Sequence, residues 1–135
     1  MDLFKALRVS AAGMDAQSMR LRVVAENLAN RDTTATSPDG EPYRRKTVTF
    51  ESRLDRALGV ETVRVKRVGR DESDFGTRFE PGHPAANENG YIRTPNVNSF
   101  IEMMDMREAQ RTYSANLSVL EVTRGMLTRA IELLR

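Results

Sequence analysis

The most regular feature of this chain is a seven-residue recurrence of apolar side chains near each end. Leu7, Met14, Leu21 and Leu28 form one row, with Leu3 and Val24 beside it. Met106, Tyr113, Leu120, Leu127 and Leu134 form a second row, flanked by Met103, Leu117 and Ile131. Both stretches lack internal proline and are rich in Ala, Leu, Met, Arg and Glu, which favour helix. A sustained heptad predicts two long helices with coiled-coil-like packing. At about 1.5 Å per residue, residues 3–30 would reach roughly 40 Å and residues 99–134 roughly 50 Å.

The rows are imperfect. Ser10 and Gln17 interrupt the first, and Gln110 and Arg124 the second. Small residues lie off the seams: Ala11, Ala12, Gly13, Ala16, Ala25 and Ala29 in the first stretch, and Ala109, Ser114, Ala115 and Ser118 in the last. Small side chains let backbones approach closely, so each helix is expected to pack more than one face. A lone pair of helices has no use for that second face, which points to neighbours from other chains. At the first helix's end, Asn30 is expected in the left-handed conformation, with Arg31 favourable to the helix dipole. Ser99 with Glu102 fits a capping box for the last helix, while Asn96 and Asn98 are alternative starts.

The middle of the chain, residues 31–95, holds all five prolines. Ser37-Pro38-Asp39-Gly40 and Asn89-Gly90 read as turns. Residues 43–50 and 60–68 are rich in Val, Thr and aromatics and predict short strands. Residues 53–58 fit one helical turn, and residues 80–84 an extended, kinked connector. The expected fold is α+β and mainly α: long N- and C-terminal helices paired as an antiparallel coiled-coil-like unit, with a small irregular or β middle segment. The corresponding division is an N-terminal helix over 1–32, a middle segment over 33–95 and a C-terminal helix over 96–135.

Composition narrows the function. The 135 residues are 39% hydrophobic, 30% charged and only 6% aromatic, with no Cys and no Trp. That suits one domain with a thin core. Without Cys there is no disulfide, thiolate nucleophile or thiolate metal site. Charges throughout residues 1–30 leave no signal-peptide apolar core, and no run approaches the roughly 20 residues needed to span a bilayer. The sequence pI of about 9.3 suggests nucleic acid, but the net charge is only +2. Split over residues 1–30, 31–95 and 96–135 it is +1, +1 and 0, so no segment is a basic arm.

Chemistry is sparse. Arg44-Arg45-Lys46 and Arg64, Lys66, Arg67 and Arg70 are local basic runs; the second is followed directly by Asp71, Glu72 and Asp74. They read as a solvated mixed-charge face. The single His83 sits beside Glu80 in a Pro-Gly turn and reads as structural rather than as a metal ligand or base. No nucleophile-elbow or phosphate-cradle spacing occurs, and the methionines lie at helical spacing suited to adaptable packing. No enzyme, cofactor, metal or small-molecule substrate is implied.

The stretch SAAGMDAQSMRLRVVAENLANRDTT, residues 10–34, resembles the N-terminal signature of the bacterial flagellar rod, hook and hook-associated axial proteins. The matching positions are Ser10, Gly13, Met14, Ala16, Gln17, Leu21, Asn27, Ala29 and Asn30. TSPDGEPYRRK at 36–46 and FEPGHPAANENGYIRTPNVN at 79–98 are similar to stretches of a proximal-rod member of that family. The second carries Pro81, His83, Pro84, Gly90, Tyr91, Pro95 and Asn96. The last helix is also similar, through Met103, Met104, Met106, Arg111, Tyr113, Ala115, Asn116 and Leu120. Residues 51–78 look shorter than in many relatives.

The resemblance implies a non-enzymatic structural subunit of the basal-body rod in the periplasm. It implies partners in other copies of the chain, in neighbouring rod proteins and in the flagellar type III export apparatus, with export needing no cleaved signal peptide. Self-assembly would be helical and would run through the terminal helices. The expected interface residues are Leu7, Met14, Leu21, Leu28, Met106, Tyr113, Leu120 and Leu127. The polar positions Ser10, Gln17, Gln110 and Arg124 would fix register. The competing readings are a nucleic-acid-binding helical module and an export adaptor.

Overall fold

A computed structural model describes residues 2–135. The elements run α1 (Leu3–Ala29), β1 (Lys46–Asp55), β2 (Val60–Arg70), β3 (Gly76–Phe79), β4 (Tyr91–Thr94) and α2 (Ser99–Leu133). The helices of 27 and 35 residues occupy the two heptad stretches. Between them lie two separate two-stranded sheets, β1–β2 and β3–β4. The architecture is therefore α+β and mainly α.

Local chemistry sets the helix ends. Asp2 caps α1, its Oδ1 accepting the Lys5 N–H at 2.8 Å. At the other end Asn30 is not left-handed, because no non-glycine residue among those described has positive φ. Its backbone N–H and side-chain Nδ2 both donate to the Glu26 carbonyl, at 3.0 and 2.8 Å. The side chain thus closes the helix without the backbone reversal. For α2 the cap is Asn98, the later alternative start, rather than Ser99. The Asn98 Oδ1 accepts the Phe100 N–H at 3.0 Å, and its carbonyl accepts the Glu102 N–H at 3.0 Å. Glu102 does not reach back to complete a capping box, since its carboxylate is buried elsewhere.

β1 and β2 are consecutive strands joined by a four-residue turn, which makes the pair an antiparallel hairpin. The helical turn expected over 53–58 is replaced by strand through Asp55 and turn residues beyond it. Asp55 organises that turn: its Oδ1 accepts the Ala57 N–H at 3.0 Å, and its carbonyl accepts the Gly59 N–H at 2.8 Å. Gly59 takes φ +67°, the conformation only glycine adopts freely. β1 begins at Lys46 rather than at residue 43 because the preceding backbone is bonded elsewhere. The Tyr43 N–H donates to the Thr33 carbonyl at 2.9 Å and the Arg45 N–H to Asn96 Oδ1 at 2.8 Å.

The β3–β4 ladder is antiparallel, pairing Gly76 with Thr94 and Phe79 with Tyr91. Four-residue strands with no apolar alternation carry too little pattern to be read from sequence. Their connection is not the extended segment expected over 80–84. It folds through successive turns in which the N–H groups of His83, Ala86 and Gly90 donate to the carbonyls of Glu80, His83 and Asn87. Gly90 has φ +84°. A Cβ there would lie 2.8 Å from Phe79 Cε2, so glycine is required on two counts.

The chain divides into two compact units. One, here the hairpin unit, holds the chain up to Leu21 with Val48–Arg67 and Arg107–Arg135. The other, the clasp unit, holds Arg22–Thr47 and Val68–Met106.

Candidate assembly site

In the clasp unit two of the three deepest large side chains are polar. Glu102 is 0% exposed and Asn27 is 1% exposed. Asn27 sits on α1 and uses both ends of its amide. Its Oδ1 accepts the Lys46 N–H at 2.9 Å and the Tyr43 hydroxyl at 2.8 Å. Its Nδ2 donates to the Lys46 carbonyl at 2.9 Å and to Glu102 Oε2 at 3.2 Å. Glu102 Oε1 receives Arg45 Nε, and the same guanidinium reaches Asp71 at 3.3 Å and Asp105 at 3.5 Å. Asn96 completes the clasp by donating to the carbonyls of Asp71 and Ser73 at 3.0 and 3.2 Å.

The energetics follow from burial. A buried carboxylate is tolerated only when paired and hydrogen-bonded, and Glu102 has both partners. Burial works against the Arg45 charge, but the hydrogen bond and charge of Glu102, then those of Asp71, raise its pKa above the ordinary value. The Asp71 pKa lies below its ordinary value, first because the Ser73 N–H and hydroxyl bind it and then because Arg45 is near. Burial raises the pKa of Tyr43. Glu26, at 2.9 Å, raises that of Lys46.

The clasp unit also holds the middle-segment motif residues. His83 Nδ1 accepts the Ala85 N–H at 2.9 Å, which places the ring proton on Nε2, 3.0 Å from the Thr34 hydroxyl. This is a satisfied turn histidine. Phe79 and Tyr91 meet edge to face at 5.2 Å, and Pro81 lies 3.2 Å from where a Gly90 Cβ would sit. Pro95 is buried, and Pro84 is exposed.

The hairpin unit is held differently. Ser10, Ala16, Ala109 and Thr123 are buried, and all are small. Gly13 faces α2 so closely that a Cβ would stand 2.8 Å from Asn116 Nδ2. Arg20 donates to Glu108 at 3.3 Å. Gln17 carries a buried Oε1 that lacks a hydrogen-bond partner among the described residues.

The eight apolar seam residues are placed alike. Leu7, Met14, Leu21, Leu28, Met106, Tyr113, Leu120 and Leu127 are all half-buried, none fully. On α2 the companion row is not Met103, Leu117 and Ile131, which are exposed. It is Glu102, Ala109, Asn116 and Thr123, again at seven-residue spacing, with Asn116 half-buried and the others buried. A scan for apolar heptads passes over this row because it is small and polar. Gln110 and Arg124 are exposed and do not interrupt the packed seam, whereas Ser10 and Gln17 lie within it.

The basic run at 44–46 is consumed inside the molecule. The Arg44 guanidinium stacks on Phe75 at 4.2 Å and donates to the Asp71 carbonyl at 2.8 Å, while Arg45 and Lys46 pair with acids as above. In the second run, Arg64 pairs with Glu51. Arg44, Arg45 and Lys46 are thus not free for phosphates, whereas Lys66, Arg67 and Arg70 are exposed. Arg45 and Glu102 are the buried ion pair that sequence reasoning missed. No local signal marks it, since the two residues lie 57 apart in sequence.

Two long heptad helices with half-buried seams flank a hairpin-bearing middle, and comparison with known proteins gives this arrangement a family. Residues 7–35 match the family model described as "Flagella basal body rod protein". Residues 88–133 match "Flagellar basal body rod FlgEFG protein C-terminal". The chain is 50% identical over 133 residues to the flagellar basal-body rod protein FlgC of Agrobacterium fabrum, covering 98% of this chain and 96% of that one. It is 40% identical over 135 residues to FlgC of Salmonella typhimurium, covering 98% of each. With FlgC of Bacillus subtilis the identity is 38% over 148 residues, covering 98% and 99%. The chain belongs to the FlgC family of flagellar basal-body rod proteins and is a structural subunit of the rod. No helix among the described residues is long and apolar enough to cross a membrane.

Proposed function

We propose that this subunit builds the proximal part of the rod by helical self-assembly through its terminal helices, against copies of itself and neighbouring rod proteins. Helix pairing is antiparallel on this reading. Gly13 near Asn116 and Arg20 on Glu108 support it, because the α2 partner number falls as the α1 number rises. The three-part division at residues 1–32, 33–95 and 96–135 goes with it: the terminal segments assemble and the middle segment chooses neighbours. Export through the flagellar type III apparatus, without a cleaved signal peptide, delivers the chain to a periplasmic rod.

The observation that carries this reading is the half-burial of all eight seam residues in a chain of this family. A seam that buries each Leu only partly leaves apolar surface for a neighbour, at about 25 cal/mol per Å² of burial. Assembly then supplies stability that the single chain lacks. Replacing Leu21 or Leu120 by Asp tests this. Swimming should be lost and the variant should be missing from purified basal bodies; wild-type swimming by either variant contradicts the seam assignment.

A further inference from the structure

The two compact units carry opposite charge. The hairpin unit holds 13 bases and 8 acids, a net +5, and the clasp unit 8 bases and 11 acids, a net −3. The whole chain hides this at +2. A split along the sequence hides it too, because each unit is assembled from separated segments. Surfaces of opposite sign on one chain attract between copies and steer their encounter.

Each excess has a centre. In the hairpin unit it is a groove of about 1050 Å³ between α1 and the β1–β2 hairpin. Its charged lining is Arg8, Arg53, Arg56 and Arg64 against Asp15 and Asp55. Arg8 reaches Asp55 at 3.7 Å, and Arg64 pairs with Glu51. Arg53, Arg56 and Asp15 are exposed and have no partner among the described residues. The α1 floor is Ala11, Ala12 and Ala16, whose short side chains leave depth for an incoming backbone.

In the clasp unit the centre is the loop over 71–74. The Arg45 guanidinium is shared by three carboxylates: Glu102, Asp71 at 3.3 Å and Asp105 at 3.5 Å. One cation thus answers three anions. Glu72 and Asp74 add two more, both exposed and without a partner among the described residues. The other cations beside the loop are Arg44, which donates to the Asp71 and Ser73 carbonyls, and Arg70, so the excess stays negative. The loop is already fixed in shape. The Ser73 N–H donates to Asp71 Oδ1 at 2.8 Å, and Asn96 Nδ2 donates to the Ser73 carbonyl at 3.2 Å. A fixed loop loses little conformational freedom on docking.

We propose that the 71–74 loop of one copy seats in the α1–hairpin groove of a second copy, with Glu72 and Asp74 against Arg53 and Arg56. A lining that mixes Asp15 and Asp55 with the arginines suits discrete carboxylates better than a run of phosphates. Loop and groove are different surfaces of one chain, so the contact is heterologous and builds a ring or a helix rather than a two-fold pair. The proposal rests on the rod reading above, which brings copies together, and adds to it a contact outside the helical seams.

Charge exchange tests it in cells that depend on this chain for swimming. Arg53→Glu with Arg56→Glu, and separately Glu72→Arg with Asp74→Arg, should each lower incorporation into basal bodies by about tenfold or more, since like charges then face each other across the contact. All four exchanges in one chain should restore incorporation. Because the chain has no cysteine, a mixed disulfide provides a second measurement that leaves those four groups in place. Copies carrying Ser52→Cys, in the groove lining, and copies carrying Ser73→Cys, differently tagged and expressed together, should form a cross-linked heterodimer in assembled rods. Normal incorporation of both paired reversals overturns the proposal and leaves the rod reading intact. Loss that the fourfold exchange does not rescue also overturns it. So does the absence of the mixed disulfide, which would mean that another component fills the groove. Absence of the wild-type chain from basal bodies would instead sink the rod reading itself.

Discussion

The two units solve the problem of a small apolar supply in opposite ways. The clasp unit contains the three largest fully buried side chains among the described residues, Ile92, Glu102 and Asn27, together with Val23 and Val24. Its polar groups satisfy one another, so depth is reached by pairing rather than by mass. The hairpin unit buries only small side chains, and its larger apolar residues remain half-covered or exposed. Close helix approach without a filled interior gives a specified register and little free energy. One unit satisfies its own buried polar groups, and the other leaves apolar surface half-covered.

Removing the buried acid should break this contrast most sharply. Glu102→Ala leaves the Arg45 guanidinium and the Asn27 amide without their buried partner, a loss of about 3–5 kcal/mol for a broken buried pair. Amide hydrogen exchange should accelerate at Val23 and Ile92 in the clasp unit; protection equal to wild type would remove the clasp from its assigned role. Asn27→Ala follows, at about 2–3 kcal/mol, because the Lys46 backbone and the Tyr43 hydroxyl lose their partner. Urea unfolding followed by circular dichroism measures it.

In the hairpin unit the expected effects are smaller. Gly13→Ala forces Asn116 aside and should cost about 1 kcal/mol net of the helix-propensity gain. Combining it with Asn116→Ala should remove the penalty, and a double mutant no better than the single would mean that backbone, not the amide, sets the approach. Acid should discriminate the units as well. The Asp71 pKa is depressed in the folded chain, so its contribution is present above the ordinary aspartate value and fades as pH falls through the folded value. Exchange protection at Ser73 should therefore decline below about pH 4, ahead of the amides around Ala16. The smallest effect has the opposite sign. Gln17→Met replaces an unpartnered buried oxygen by sulfur and methylene, and should raise stability by about 0.5–1 kcal/mol.

These contrasts also mark what the sequence could reveal. Long helices and the Asn89-Gly90 turn were legible because periodicity and turn chemistry are local. The strand run at 60–68 was legible for the same reason. The clasp was not, because Asn27 meets Glu102 across 75 residues, and nothing near either residue records the other. Arg45 looked like part of a basic run, since composition cannot tell a solvated guanidinium from one seated on a buried carboxylate. The helical row through Ala109, Asn116 and Thr123 was hidden for a different reason. Hydrophobicity marks mass, while close approach selects small residues. The short β3–β4 pair lay below the length at which alternation carries information.

The way the units are threaded has a further consequence, for the order in which the chain can acquire structure. The clasp needs Asn27, Arg45 and Glu102, and the hairpin unit draws on residues up to Leu21, on Val48–Arg67 and on everything beyond Arg107. Neither can close before α2 exists, so a nascent chain has only α1 and local hairpins to form while the ribosome is still working. Contacts of such long sequence separation carry a loop-closure cost before they return any stabilisation. Closure of both units is thereby deferred until α2 has been made.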